Sequence, residues 1–186
     1  MRPGRWKIKQ AAMQLLDGKI LAYPAEAFWA LGCDPENQTT TRRLLAILGR
    51  PEEEGVILVA ASVAQIEHLL DGLTRKQRHT IVASWPGAAT WLVPDVNDQI
   101  PSWIKGTRSG VAIRVSAHPL AKALCLAFGG PVASVPANRT SGFVARSALQ
   151  VVKHLGRKID GLVPGMPGRQ TSGTTIIDAC AGSVVR

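Results

Sequence analysis

Long hydrophobic runs, clustered cysteines and generic catalytic signatures are all missing from this chain, and each absence excludes a class of protein. Its longest apolar runs, such as Val56–Ala61, are far too short to span a bilayer, so no membrane association is expected. The opening residues MRPGRWKIKQ are basic, but no apolar stretch follows them, and no secretory signal is visible. Only three cysteines occur, Cys33, Cys125 and Cys180, far apart and without a C-x-x-C pair. Such a set reads as reduced thiols packed in a cytosolic core rather than as a zinc site or a disulfide framework. The four histidines, His68, His79, His118 and His154, have no metal-ligand spacing, so structural roles and no metal site are expected. There is no Walker loop, no G-x-G-x-x-G, no G-x-S-x-G and no H-E-x-x-H. No side chain stands out as a covalent catalyst.

Negative charge is also scarce, and only in one half. Residues 1–98 carry eleven basic and eleven acidic side chains, whereas residues 99–186 carry eleven basic and two acidic ones, Asp160 and Asp178. The whole net charge of +9 therefore arises in the second half. That asymmetry suggests a polyanionic partner or an anionic substrate. The length, 186 residues, is one domain's worth of chain, and 46% hydrophobic with 19% charged residues is an ordinary globular composition.

Apolar spacing predicts alternating helices and strands. Helices are expected over Trp6–Leu16, Thr39–Leu48, Val63–Leu70, Arg75–Ser84, Pro119–Phe128 and Ser147–Leu155. Strands are expected over Lys19–Tyr23, Val56–Ala61, Ala88–Val93, Val111–Val115, Val132–Val135, Thr174–Ala179 and Ser183–Arg186. Ser62 and Thr74 are placed to cap helices, and Gly49 with Pro51 to end one. The Gly- and Pro-rich segment Leu162–Gly173 is long enough for a substrate-covering loop. The pattern predicts a single mixed α/β layered domain over 1–186.

Ligands of open α/β sheets bind at strand ends, which draws attention to Arg50, Arg114, Ser134, Asn138 and Arg186. Arg114, inside VAIRV, is the most informative. A guanidinium in a buried strand must meet an internal carboxylate or an anionic ligand, because burying it unpaired is costly. Chemistry alone leaves both open. Glu26 and Asp34 flank a strand end, where a lone carboxylate is commonly a capping or solvated group.

Six segments, taken together, resemble the YrdC/TsaC family of threonylcarbamoyl-AMP synthases: YPAEAFWALGCDP, GRPEEEGVILVA, WPGAATWLVP, VAIRVSAHPLAKALC, SVPANRTSG and TTIIDACAGSVVR, in family order across residues 6–186. The resemblance implies a twisted mixed sheet flanked by helices, with a concave basic face. It implies a nucleotidyltransferase-type reaction in the cytoplasm: L-threonine and bicarbonate give N-carboxythreonine, whose carboxylate attacks the α-phosphorus of ATP, with Mg²⁺ assisting. Threonylcarbamoyl-AMP then feeds t6A formation in tRNA, so tRNA and other t6A-pathway proteins are implied partners. By the same match Arg114, Ser134 and Thr174 lie on the threonine side, and Arg50, Asn138 and Arg186 on the nucleotide side.

Five positions depart from the family pattern. Ala25 replaces the Thr of Y-P-T-E-A, Leu48 the Lys of K-x-R-P, Glu54 the Lys that follows it, Pro136 the second Ser of S-x-S-A-N, and Gly110 a Ser or Thr ahead of the strand arginine. Two lost lysines and one added glutamate make the triphosphate side less positive by three charges. Lys9, Lys105 and Arg108 are candidate replacements. Two further readings stand beside the synthase: a catalytically weakened member binding structured or double-stranded RNA through its basic half, and a relative with an altered amino-acid substrate.

Overall fold

Strand alternation sorts the apolar residues into two cores, one on each face of a sheet. In VAIRV, Val111, Ile113 and Val115 enter the larger core while Ala112 and Arg114 point the opposite way. The computed structural model describes residues 4–138, 144–171 and 173–185. In chain order it contains α1 (Arg5–Leu16), β1 (Leu21–Pro24), β2 (Trp29–Cys33), α2 (Gln38–Leu48), β3 (Ile57–Ala60), α3 (Arg75–Ala83) and β4 (Ala89–Pro94). There follow α4 (Ser102–Lys105), β5 (Gly110–Val115), α5 (Pro119–Phe128), β6 (Val132–Pro136), α6 (Ala148–Leu155), β7 (Gly161–Leu162) and β8 (Thr175–Asp178).

The strands form one mixed sheet in the order β7-β1-β2-β6-β3-β5-β4-β8. β1 and β2 are antiparallel, β6 runs antiparallel to both β2 and β3, and β3 pairs parallel with β5. Register sets Ser134 of β6 opposite Gly32 and Ile57, and Arg114 of β5 opposite Val59. These side chains therefore share a face. α1 and α5 pack on that face through Ile8, Leu15, Leu120 and Leu124. The other face is covered by Leu44, Leu45 and Leu48 of α2, Ile81 of α3, and Val151 and Leu155 of α6.

Helix ends follow local chemistry. Thr74 and Ser147 each form a capping box with a glutamine three residues on, and the Asn37 side chain accepts from the Thr40 amide. Gly49, at φ 67°, closes α2: its amide bonds to the Ala46 carbonyl, and that of Arg50 to Leu45. The reversal leaves Leu48 fully buried in the core.

Several expectations need revision. The strand β2 was absent from the periodic pattern because WALGC is buried at every residue and shows no alternation. Val63–Leu70 forms two 3-10 turns, and Ser62 makes no side-chain cap. Residues 183–185 supply only an isolated bridge, Ile177 to Val184, and Arg186 of the expected strand lies outside the described residues. Cys33 and Cys125 are buried, but Cys180 is exposed rather than in the core.

Burial pushes the Cys33 and Cys125 thiols up to about 12, far above the range in which a thiolate forms at neutral pH. A thiol reagent near pH ~8 should accordingly label only one of the three cysteines, Cys180, in native protein, and all three in denaturant. Equal native labelling of all three would contradict the packing. Gly55, at φ 59° and ψ −170°, abuts the backbone of Ile104 and Lys105, where an added Cβ would lie 2.5 Å from a carbonyl oxygen. Gly55→Ala should cost at least about 2 kcal/mol in urea unfolding, since both conformation and space exclude a side chain.

Candidate active site

On the sheet face that carries Arg114, the turn after β1 and the start of β8 frame a cleft of two connected chambers. The inner chamber, about 40 Å³, is lined by Ala25, Glu26, Trp29, Arg114, Ser134 and Thr174 among others. The outer one, about 140 Å³, takes in Arg50, Glu54, Arg108, Pro136 and Asn138. Phe28, Ile57, Ser134, Pro136, Gly173 and Thr174 line both, so they are continuous. A larger hollow of about 370 Å³, lined by Leu16, Leu58, Ile104 and Phe128 among others, holds none of these converging polar groups.

Both side chains of the inner ion pair are almost completely buried: Arg114 is 8% exposed and Glu26 6%. Arg114 Nη2 lies 3.5 Å from Glu26 Oε2, too long for a good hydrogen bond. The other carboxylate oxygen, Oε1, accepts from Ser116 Oγ at 2.5 Å and from the Ala117 amide at 3.1 Å. Among the described residues, Glu26 Oε2 and Arg114 Nε have no hydrogen-bond partner. Burial raises the Glu26 carboxyl's pKa, but the Arg114 guanidinium and the Ser116 hydroxyl outweigh it and hold the value below the ordinary carboxylate range. Glu26 is thus neither a cap nor solvated, which corrects the expectation from its position near a turn. The signal was Arg114 itself, which required an internal carboxylate or an anion.

Ser134 Oγ accepts a 2.6 Å hydrogen bond from the chain's single tyrosine, Tyr23, whose hydroxyl burial holds far above its ordinary pKa. Ser134 keeps its own proton available to donate. Thr90, fully buried on β4, donates to Thr174 Oγ1 at 3.1 Å, fixing that hydroxyl at the cleft wall. The segment after β7 lies along the turn at 25–28: the Gly168 amide bonds to the Ala25 carbonyl and that of Gln170 to Glu26. His118 Nε2 donates to the Met166 carbonyl at 3.1 Å, and burial keeps the ring's pKa below its usual value, in the neutral form.

On the outer side, Arg50 is 8% exposed. It donates to Glu54 Oε2 and to Asn138 Oδ1, each at 2.7 Å. Arg50 and Asn138, the two nucleotide-side expectations within the described residues, are therefore in direct contact. Arg186 lies outside the described residues. Glu54, where the family pattern has Lys, faces the same chamber, and Leu48 is in the core. Of the candidate replacements for the lost charge, Arg108 lines the chamber. Lys105 is instead bonded to Asp95 at 2.9 Å and to Asp98, and Lys9 is exposed on α1. Among the described residues no group of three or more His, Cys, Asp or Glu side chains is arranged to hold a metal. No described helix is long and apolar enough to cross a membrane.

Residues 13–186 match the family model Sua5/YciO/YrdC, described as telomere recombination. The chain belongs to the Sua5/YciO/YrdC family. It is 44% identical over 181 residues to the threonylcarbamoyl-AMP synthase of Halorhodospira halophila, covering 97% of this chain and 94% of that one. With the synthase of Marinobacter nauticus the identity is 42% over 99% of this chain and 97% of that one. Among solved structures, P. abyssi Sua5 complexed with L-threonine superposes with TM-score 0.87 at 29% identity. The match covers 96% of this chain and 52% of the Sua5 chain, so this family member spans about half that protein's length. E. coli YciO shares the fold, with TM-score 0.83 at 22% identity over 95% of this chain and 85% of that one.

The depressed Glu26 value makes stability depend on pH in a defined sense. A carboxyl whose folded value lies below its unfolded one, about 4.3, stabilises the fold above that pH and loses the contribution as pH falls through the folded value. Urea unfolding of wild type and Glu26→Gln should differ most near pH ~7; the difference should begin to shrink as pH falls past about 4.3 and vanish only below the depressed folded value. A difference independent of pH would mean that the ion pair does not form.

Proposed function

We propose that this protein makes threonylcarbamoyl-AMP from L-threonine, bicarbonate and ATP, releasing pyrophosphate, and that residues 1–186 act in the cytoplasm as one domain. The supporting observation is the joining of two anion-receiving chambers across shared walls. The inner one presents a buried guanidinium suited to a carboxylate, and the outer one a buried guanidinium suited to phosphates. A reaction that links a carbamate to an α-phosphate requires these two neighbours.

In this reading Arg114 forks onto the threonine carboxylate, and the hydroxyls of Ser134 and Thr174 complete that side. Threonine and bicarbonate lose water to form the carbamate. A carbamate oxygen then bonds to the α-phosphorus as the bond from that phosphorus to the pyrophosphate oxygen breaks. The protein contributes position and charge rather than a covalent intermediate, as expected for transfer at phosphorus. Arg50, oriented by Asn138, meets the phosphates, with Arg186 assigned to the same side. Arg108 supplies part of the charge that Leu48 and Glu54 do not. Magnesium would arrive on the triphosphate, and Glu54 is the one carboxylate lining the outer chamber among the described residues. The adenylate passes to t6A-pathway proteins acting on tRNA, for which the exposed Arg146, Lys153, Arg157 and Lys158 offer positive charge.

Purified protein supplied with ATP, Mg²⁺ and bicarbonate should release pyrophosphate only when L-threonine is added. Arg114→Ala should remove most of the activity by raising KM for threonine. Arg50→Ala should lower kcat by on the order of 10²–10³, the loss typical of one transition-state charge donor. Threonine-independent release, or none at micromolar enzyme, would refute the assignment.

A further inference from the structure

Glu26 and Arg114 both line one small chamber, and each carries a buried polar atom of opposite character, Oε2 and Nε, with no hydrogen-bond partner among the described residues. Such groups are costly to bury unless something completes their bonding. The rest of the glutamate is tied down: Oε1 takes the Ser116 hydroxyl and the Ala117 amide, and the Glu26 carbonyl takes the Gln170 amide. The remaining oxygen is therefore a fixed acceptor with no freedom to swing toward water. Its ion-pair distance to Arg114, 3.5 Å, leaves the guanidinium short of a full fork.

We propose that Glu26 is the specificity-determining residue for the amino group of the substrate: Oε2 accepts its N–H while Arg114 takes its carboxylate. The inference rests on the synthase reading of this chamber and adds what selects within it. A zwitterion brings one charge of each sign to a site that presents one of each sign. A plain carboxylic acid would satisfy Arg114 but leave Glu26 facing its anion unpaired. The same acceptor serves the N–H that remains after the nitrogen is carboxylated, so the contact persists along the reaction. The inner chamber thus discriminates amino acids from simple hydroxy acids by charge, while Ser134 and Thr174 address the remaining polar groups.

The test compares L-threonine with β-hydroxybutyrate, which keeps the carboxylate and the β-hydroxyl but has no amino group. Binding is measured by calorimetry on the full chain, and threonine-dependent pyrophosphate release is followed alongside. Wild type should prefer threonine by at least about tenfold, the usual worth of a hydrogen bond to a charged group. In Glu26→Gln the amide oxygen can keep the Ser116 and Ala117 bonds, which turns the NH₂ toward the substrate. The preference should then collapse toward unity, while KM for ATP stays unchanged. Glu26→Asp retains the charge that offsets Arg114 and withdraws the oxygen by one methylene, so it should fold and show a reduced preference. A purely structural role would weaken both ligands equally and leave the ratio intact. Equal binding of the two ligands by wild type, or an unchanged ratio in either variant, overturns the proposal. A wild type without threonine-dependent activity would instead refute the synthase reading on which it rests.

Discussion

A guanidinium placed in the middle of a buried strand must be neutralised where it stands, and much of the cleft can be understood as the answer to that requirement. Arg114 leaves the sheet on the face that α1 and α5 only partly cover. Its counter-charge comes from Glu26, ninety positions from Ser116, which itself holds the carboxylate in place. The same turn receives the segment after β7 through the Ala25 and Glu26 carbonyls, and Gly168 is required there because a Cβ would lie 2.4 Å from the Glu26 carbonyl oxygen. One electrostatic need thus ties together β5, the turn between β1 and β2, and the segment after β7. In other proteins, replacing a buried ion pair by well-packed apolar side chains of similar volume is often neutral or stabilising.

The outer chamber has a different origin. Arg50 reaches it because α2 ends in a left-handed glycine that reverses the chain after Leu48. Leu48 belongs to the core, so a positively charged side chain there would have no polar surroundings without a change in the helix end. Glu54 then forms an i,i+4 ion pair with Arg50 and, with Asn138, holds the guanidinium in one orientation. The chamber gains order at the expense of net positive charge. Arg108 lines the same chamber, and Lys105 is bonded to Asp95 and Asp98. The departures at positions 48 and 54 therefore have distinct consequences: Leu48 is absorbed by packing, and Glu54 places a negative charge beside Arg50 in the outer chamber.

Most of the layered fold was legible from periodicity and punctuation. Alternation in VAIRV, the apolar spacing of α2 and α5, and the capping signal at Thr74 are local properties that survive in the structure within a residue or two. The failures are equally physical. The strand β2 has both faces buried and so has no period of two to detect. The Val63–Leu70 segment has helical spacing but only enough length for 3-10 turns. The family motifs located Arg50, Arg114, Ser134, Asn138 and Thr174, and all five line the cleft. Glu26 was visible as part of its motif, yet its near-complete burial was not.

What the sequence determined by itself is what neighbouring residues decide among themselves: element type, element ends, the two-faced strands, the uneven charge and the family membership carried by ordered motifs. Which distant groups meet is instead set by the assembled fold. Arg50 and Asn138 are 88 positions apart, and Tyr23 and Ser134 are 111 apart. Their contacts depend on strand order and register, which place β6 between β2 and β3 and put Ser134, Arg114 and Glu26 around one chamber. Local periodicity shows which way a side chain points from its strand. Whether it finds a counter-charge, a hydroxyl or an open pocket there depends on which strand lies alongside, and that is a property of the assembled sheet.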